Sequence, residues 1–85
     1  MQAKELVIKN EDGLRASRAA MFVQVAGRYS SLIFVEKGNK KINAKSIMGV
    51  LSLGVKQGEK IFIFANGKDE DEAIEALEKL VSSEM

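Results

Sequence analysis

Two arginines stand at the predicted start of a helix, in the segment DGLRASRAAMFVQ at residues 12–24. A helix N-terminus carries a partial positive charge from its unpaired N–H groups, so acidic residues are expected there instead of Arg15 and Arg18. Backbone N–H groups and guanidinium groups are together suited to hold an anion. One hypothesis is therefore an anion site formed by Arg15, Ser17 and Arg18. The alternative is that both arginines are solvated surface cations.

A second segment, NAKSIMGVLSLG at residues 43–54, places Ser46 just before a short apolar run that closes at Gly54. A serine there caps a helix through its hydroxyl, and its loss typically costs about 1 kcal/mol. The predicted helix has only about two turns and contains Gly49, so packing must hold it in place. From its spacing alone, helix capping is enough to explain Ser46.

The apolar residues of this short helix are more numerous than one buried stripe requires, so some of them should face water. They are Ile47, Met48, Val50, Leu51 and Leu53. Core packing is the default explanation for each of them. We predict that Ile47, Met48 and Leu51 form a partner-binding patch and that Met48, with its flexible thioether, is the most exposed.

The composition excludes several kinds of chemistry. The chain has 85 residues and no histidine, cysteine or tryptophan, so imidazole chemistry, disulfides and thiolate metal sites are ruled out. We expect no metal, no cofactor and no catalytic residue. The net charge of +1, with 46% hydrophobic and 29% charged residues, is typical of a soluble globular protein and does not favour nucleic acid as a partner. We expect a single domain over residues 1–85, cytoplasmic and without a membrane partner.

The remaining pattern predicts strands and helices that would position these segments. Strands are predicted at residues 5–9, 32–36, 40–42 and 60–65, the second and third joined by the turn Gly38-Asn39. Residues 60–65 are apolar on both strand faces, which is typical of a central strand. A first helix starts at Ala16 and ends near Gly27, and a last one begins at Asp69, after the turn Asn66-Gly67.

The last helix follows the dipole rule that the first one breaks. Acidic residues fill its first turn, and Glu75 can pair with Lys79 one turn later. Its apolar stripe consists of Ala73, Ile74, Leu77, Leu80 and Val81, and that of the first helix of Ala16, Ala19, Phe22, Val23 and Ala26. Both stripes can cover one side of a sheet, so the order of elements predicts an α+β two-layer sandwich.

The whole chain resembles the histidine-containing phosphocarrier (HPr) proteins of the bacterial sugar phosphotransferase system. The resemblance rests on Gly13-Leu14, on Ala16 and Ala19, on Phe22-Val23-Gln24 and above all on residues 43–49, NAKSIMG. That last motif is similar to the regulatory serine segment of Gram-positive members. The resemblance implies an open-faced β-sandwich: a four-stranded antiparallel sheet in the order 1-4-2-3 with three helices on one face.

The first motif departs from the family pattern Gly-Leu-His-Ala-Arg-Pro-Ala. Arg15 occupies the phosphohistidine position, Ser17 replaces the arginine and Arg18 replaces the proline. A guanidinium stays protonated and is not a nucleophile, so Arg15 cannot carry a phosphoryl group. The chain thus resembles the catabolite-repression branch of the family, which lost the histidine and kept the serine, although known members carry glutamine at the position of Arg15.

Three functions compete at this point. The resemblance implies a regulatory module that an HPr kinase/phosphorylase phosphorylates on Ser46 and that binds a repressor of the catabolite control protein A type, with Arg15 and Ser17 as further contacts. A working phosphocarrier would need another acceptor, such as Asp12 or Ser17, and no base accompanies either. The third is a protein-binding module independent of phosphate. A homodimer formed by strand exchange through the loop from Asn10 to Arg15 is compatible with this small fold.

Overall fold

The computed structural model describes residues 1–82, and the order of its elements is the predicted one. The strands are β1 (Gln2–Val7), β2 (Leu32–Lys37), β3 (Lys40–Asn43) and β4 (Lys60–Asn66). The helices are α1 (Ala16–Ala26), α2 (Ile47–Ser52) and α3 (Glu70–Ser82). None of the helices within residues 1–82 is long and apolar enough to cross a bilayer.

The four strands form one antiparallel sheet in the order β1-β4-β2-β3. Alternate residues of the central strands β4 and β2 are buried beneath the helices: Ile61, Ile63, Ala65, Ile33 and Val35. The helices contribute the rest of the core, with Phe22, Val50 and Leu77 among its fully buried side chains. No element within residues 1–82 covers the other face of the sheet. The predicted open-faced sandwich and the central position of β4 are confirmed.

β1 begins at Gln2, three residues before the start predicted from the pattern at residues 5–9. β4 continues to Asn66 and offers backbone partners to the polar first residues, so Gln2 pairs with Ala65. Beyond Val7 the chain leaves β4: the Lys9 N–H donates to the Val81 carbonyl of α3 at 3.0 Å. Pairing length, rather than the apolar run, therefore sets the bounds of β1.

α3 begins at Glu70, one residue later than predicted. Asp69 precedes it and accepts a hydrogen bond from the Ala73 N–H through its carbonyl at 2.9 Å. Its carboxylate accepts hydrogen bonds from the backbone N–H groups of Ser30 (2.9 Å) and Ser31 (3.0 Å) and from the Ser31 hydroxyl. These donors, the Ser31 hydroxyl first among them, lower the pKa of Asp69 to about 2. Asp69 thus ties the start of α3 to the start of β2.

The charge order of α3 is the one predicted. Its first turn holds three acidic residues, and Glu75 pairs with Lys79 at 3.4 Å. The buried stripe of Ala73, Ile74, Leu77 and Val81 packs on the sheet and Leu80 is partly buried.

Candidate regulatory surface

Ser46 is the N-cap of α2, as the sequence predicts. Its backbone is extended, and its hydroxyl oxygen accepts a hydrogen bond from the Gly49 N–H at 3.1 Å. Its carbonyl accepts the first helical bond, from the Val50 N–H at 3.0 Å. Ser46 is nevertheless exposed, so its hydroxyl can be reached from solvent.

Three apolar side chains of α2 face water next to this serine. Ile47 is 38% exposed, Met48 72% and Leu51 40%, whereas Val50 and Leu53 are buried. The prediction that the helix has more apolar residues than its buried face needs is confirmed, as is the prediction that Met48 is the most exposed. We call Ile47, Met48 and Leu51 the α2 patch.

A six-residue helix is not stable alone, and two lysines of the β2–β3 hairpin stabilise its C-terminal end. The Lys37 ammonium donates to the carbonyls of Leu53 and Gly54, both at 3.2 Å, and that of Lys40 donates to the Ser52 carbonyl at 3.3 Å. Cations at this end also complement the helix dipole. Neither lysine can be assigned this role from the sequence, because nothing in their spacing indicates which carbonyls they meet.

Glu59 holds Lys37 in place through an ion pair of 3.1 Å. Its carboxylate also accepts a hydrogen bond from the Lys56 N–H at 2.7 Å. The Lys56 N–H and then Lys37 lower the pKa of Glu59. The hairpin, the end of α2 and the following loop are thereby joined.

Gly49 has a packing role that offsets its low helix propensity. A Cβ at this position would lie 3.3 Å from the Ile42 Cβ on β3 and 3.4 Å from the Ser46 Oγ. The absence of a side chain therefore lets α2 approach the sheet closely and leaves space for the Ser46 cap.

Arg15 is the N-cap residue of α1 but does not cap it with its side chain. Its Nε donates instead to the Asp12 carbonyl at 3.1 Å, within the preceding loop. The first turn of α1 contains no acidic residue. Arg15 and Ser17 are exposed and Arg18 is half-buried. The structure thus places all three residues at the positive end of α1, and anion binding there stays a prediction.

The loop of Arg15 and the cap of Ser46 lie at opposite ends of the pair formed by α1 and α2. The Leu14 N–H, just before α1, donates to the Val55 carbonyl beyond the end of α2 at 3.0 Å. At the other end, the Lys45 ammonium donates to the Tyr29 carbonyl at 2.7 Å. The two helices are antiparallel neighbours, so Arg15 and Ser46 mark two separate parts of one helical surface.

The Ser46 hydroxyl lies apart from acid–base side chains. Within residues 1–82, no carboxylate or amine is hydrogen-bonded to it. No cluster of acidic or other metal-ligating side chains lies within the same residues.

Comparison with known proteins was made for the whole chain. Residues 2–83 match the family model of the PTS HPr component phosphorylation site. The HPr-like protein Crh of Halalkalibacterium halodurans is 48% identical over 84 residues, which cover 99% of this chain and all of that protein.

Two solved structures are similar in fold. HPr-C-His from Thermoanaerobacter tengcongensis has a TM-score of 0.95 and 55% identity, covering 98% of this chain and 93% of that one. The Bacillus subtilis catabolite repression protein Crh, whose crystal structure is a dimer with a swapped domain, has a TM-score of 0.76 and 46% identity, covering 95% and 93%.

Proposed function

Because this chain belongs to the HPr family, we propose that it is a regulatory protein of carbon catabolite repression that an HPr kinase/phosphorylase phosphorylates on Ser46. The phosphorylated form acts as the co-effector of a transcriptional repressor of the catabolite control protein A type. The observation that carries the proposal is the exposed Ser46 hydroxyl at the N-cap of α2, directly beside the α2 patch. The catabolite-repression role of the Crh relative supports it.

Phosphorylation at this position changes the surface and leaves the fold in place. A phosphate on Ser46 adds nearly two negative charges at the positive end of α2, where the Gly49 N–H already points at the oxygen. The phosphate offers three oxygens to arginine or lysine side chains of a partner, and Met48 offers an apolar anchor beside it. The two parts together form the binding surface.

The chain is not competent for phosphohistidine transfer in this proposal. The exposed side chain at the start of α1 is the guanidinium of Arg15, which stays protonated and does not attack phosphorus. Asp12 and Ser17 are poor substitutes as acceptors, because no hydrogen-bonded base accompanies either side chain among residues 1–82.

Arg15, Ser17 and Arg18 have a second role in the proposal, which is to bind an anion or an acidic patch of the repressor. Their position at the positive end of α1 supports it. Titration with inorganic phosphate should shift the amide resonances of residues 13–19. Unchanged resonances would leave the arginines as solvated cations.

A strand-exchanged homodimer is a second candidate, favoured by the position and hinge of β1. β1 is an edge strand, paired to β4 alone within the sheet. The loop after it is tightly formed: the Asn10 side chain donates to the Gly13 carbonyl at 2.6 Å, and Gly13 has a positive φ of 63°. Any side chain at Gly13 would overlap the Val55 carbonyl. The Crh relative, which forms a dimer with a swapped domain, supports a dimer formed by exchange.

The kinase reaction separates the regulatory proposal from a phosphate-independent binding module. Incubation with a bifunctional HPr kinase/phosphorylase and ATP should add one phosphoryl group, located on Ser46 by mass spectrometry of peptides. A Ser52→Ala variant is the matched control, since Ser52 is an exposed serine of the same helix. Absence of the modification, or its placement on another serine, would contradict the proposal.

A further inference from the structure

The face of the sheet opposite the helices carries three phenylalanines on its two central strands. Phe62 and Phe64 stand on β4 with ring centroids 6.4 Å apart, and Phe34 on β2 is the register partner of Phe64. Side chains two apart on a strand share a face, so these rings form one aromatic cluster. We call this surface the open face.

Large apolar side chains are exposed around this cluster. Met1 is 78% exposed, Leu32 59%, Phe62 41% and Val7 38%, and all four lie on the open face. Single exposed apolar residues are ordinary, but a contiguous group on one face marks an interaction surface. The sheet separates it from the α2 patch, so the two surfaces can be occupied at the same time.

Opposite charges stand at the two edges of the open face. Four residues that are register partners form one row across the sheet: Glu5 on β1, Phe62 on β4, Glu36 on β2 and Lys41 on β3. The Lys41 ammonium lies over the rings of Phe34 (5.2 Å) and Phe64 (4.7 Å). Neither Glu5 nor Lys41 takes part in an ion pair within residues 1–82. Glu5 therefore offers its charge at the β1 edge, whereas Lys41, attached at the β3 edge, moves its ammonium off these rings to meet a carboxylate there.

We propose that the open face binds the open face of a second copy of this chain, with the two-fold axis parallel to the strands. This axis reverses the strand order, so β1 of one copy faces β3 of the other and β4 faces β2. Glu5 then meets Lys41 of the second copy at both edges, and Phe64 meets Phe34 at the centre. Two sheets about 10 Å apart pack in this way in β-sandwiches.

Charge selects this arrangement over its alternatives. A two-fold axis in the plane of the interface but perpendicular to the strands would place each strand against the same strand of the second copy. Glu5 would then face β1 of the second copy instead of Lys41 on β3. A single-stranded nucleic acid is disfavoured because the face carries two carboxylates, Glu5 and Glu36, against the ammonium groups of Lys41 and Lys60. Self-association pairs Glu5 with Lys41 at both edges and sets Glu36 of each copy against Phe62 of the other, one row from Lys60.

The size of the face sets the strength of the dimer. Four strands about 4.8 Å apart and four to seven residues long give a face of at most about 20 Å by 20 Å. This is below the standard interface of about 800 Å² per partner, so the association is transient. Both α2 patches stay on the outside of the dimer, on the helical side of each copy.

Sedimentation velocity and amide NMR from about 10 µM to about 1 mM protein test the proposal. The unmodified chain should dimerise in this range, with concentration-dependent shifts on β4 and β2. Phe62→Thr should weaken the dimer at least about tenfold, because an exposed ring next to the central contact of Phe64 with Phe34 is lost. Met21→Thr is the matched control, since Met21 on α1 is 43% exposed and lies on the other side of the sheet.

Charge reversal with mixing gives the sharpest readout. Glu5→Lys and Lys41→Glu should each weaken self-association about tenfold, because like charges meet at both edges. An equimolar mixture of the two variants should dimerise as the unmodified chain does, since a heterodimer restores both opposite-charge pairs. A chain that is monomeric to 1 mM would overturn the proposal. The proposal would also be overturned if the chain dimerised equally well with Phe62→Thr and if mixing the two charge variants had no effect. That result would favour strand exchange, in which Glu5 does not meet Lys41 of the second copy.

Discussion

The Ser46 hydroxyl oxygen lies 3.1 Å from the backbone nitrogen of Gly49, so one side chain both caps α2 and presents the hydroxyl to be modified. Met48, between these two residues in the chain, is 72% exposed. A phosphoryl group on Ser46 therefore enters a site that already favours an oxygen acceptor and already stands beside an apolar contact. The regulatory role depends on this coupling of cap and surface.

Replacing Ser46 with alanine should cost about 1 kcal/mol of unfolding free energy, the usual loss for a missing N-cap, and abolish phosphorylation. Urea denaturation gives the first quantity and mass spectrometry after the kinase reaction the second. Ser52→Ala is the control, since the Ser52 hydroxyl donates to the Gly49 carbonyl at 2.6 Å in the same helix but caps nothing. Repressor binding by an unphosphorylated Ser46→Ala chain at full affinity would contradict the role of Ser46.

Replacing Met48 with aspartate should weaken the complex of the phosphorylated chain with its repressor at least about tenfold, because a charge would enter a desolvated contact. The fold and the kinase reaction should be retained, since the side chain makes little contact with the core. Met21→Asp, at a 43% exposed position on α1 outside both the α2 patch and the open face, is the matched control for titration calorimetry. Equal affinities of the Met48 variant and the control would remove the α2 patch from the binding surface.

The chain should accept no phosphoryl group from enzyme I and labelled phosphoenolpyruvate, because it contains no histidine. Arg15→His should restore labelling only partly, and addition of Ser17→Arg should raise the rate by placing a guanidinium beside the phosphoryl group. Both positions are exposed, so the changes should leave the fold intact. Stable labelling of the unmodified chain would refute the prediction. A full rate from the single change would show that the neighbouring residues are unimportant.

Acid should weaken the attachment of α3 through Asp69. Its folded-state pKa of about 2 lies below the ordinary value of 3.8, so its contribution to stability is present above about pH 4 and is lost as the pH falls toward 2. Asp69→Ala should lower the thermal midpoint at pH 7, and its difference from the unmodified chain should shrink between pH 4 and pH 2. Asp71→Ala, in the same helical turn, is the control. A difference independent of pH would place the stabilisation elsewhere.

Local sequence signals predicted most of the fold because they act over short distances. The hairpin turn Gly38-Asn39, the Ser46 cap and the apolar stripes each depend on neighbours within a few residues. The start of β1 depends on how far β4 extends, which no property of the polar residues Gln2 to Lys4 reveals. The lysines that stabilise the end of α2 likewise act on residues more than ten positions away.

The exposure of the open face could not be predicted from the sequence either. The apolar pattern of residues 60–65 correctly predicted a central strand, but such a pattern usually indicates that both faces are covered. In the structure one face is covered by helices and Phe62 on the other is 41% exposed. An apolar pattern on one strand indicates which side chains favour burial, but it does not show what covers them. In our proposal, a second copy of the chain covers Phe62.

Titration calorimetry of a catabolite control protein A-type repressor with phosphorylated and unmodified chain tests the central claim most directly. We expect the form phosphorylated on Ser46 to bind the repressor at least about tenfold more tightly than the unmodified chain, a difference in binding free energy of about 1.4 kcal/mol or more. The circular dichroism spectra of the two forms should be the same. Equal affinities of the two forms would contradict the switch at Ser46 and the regulatory function built on it.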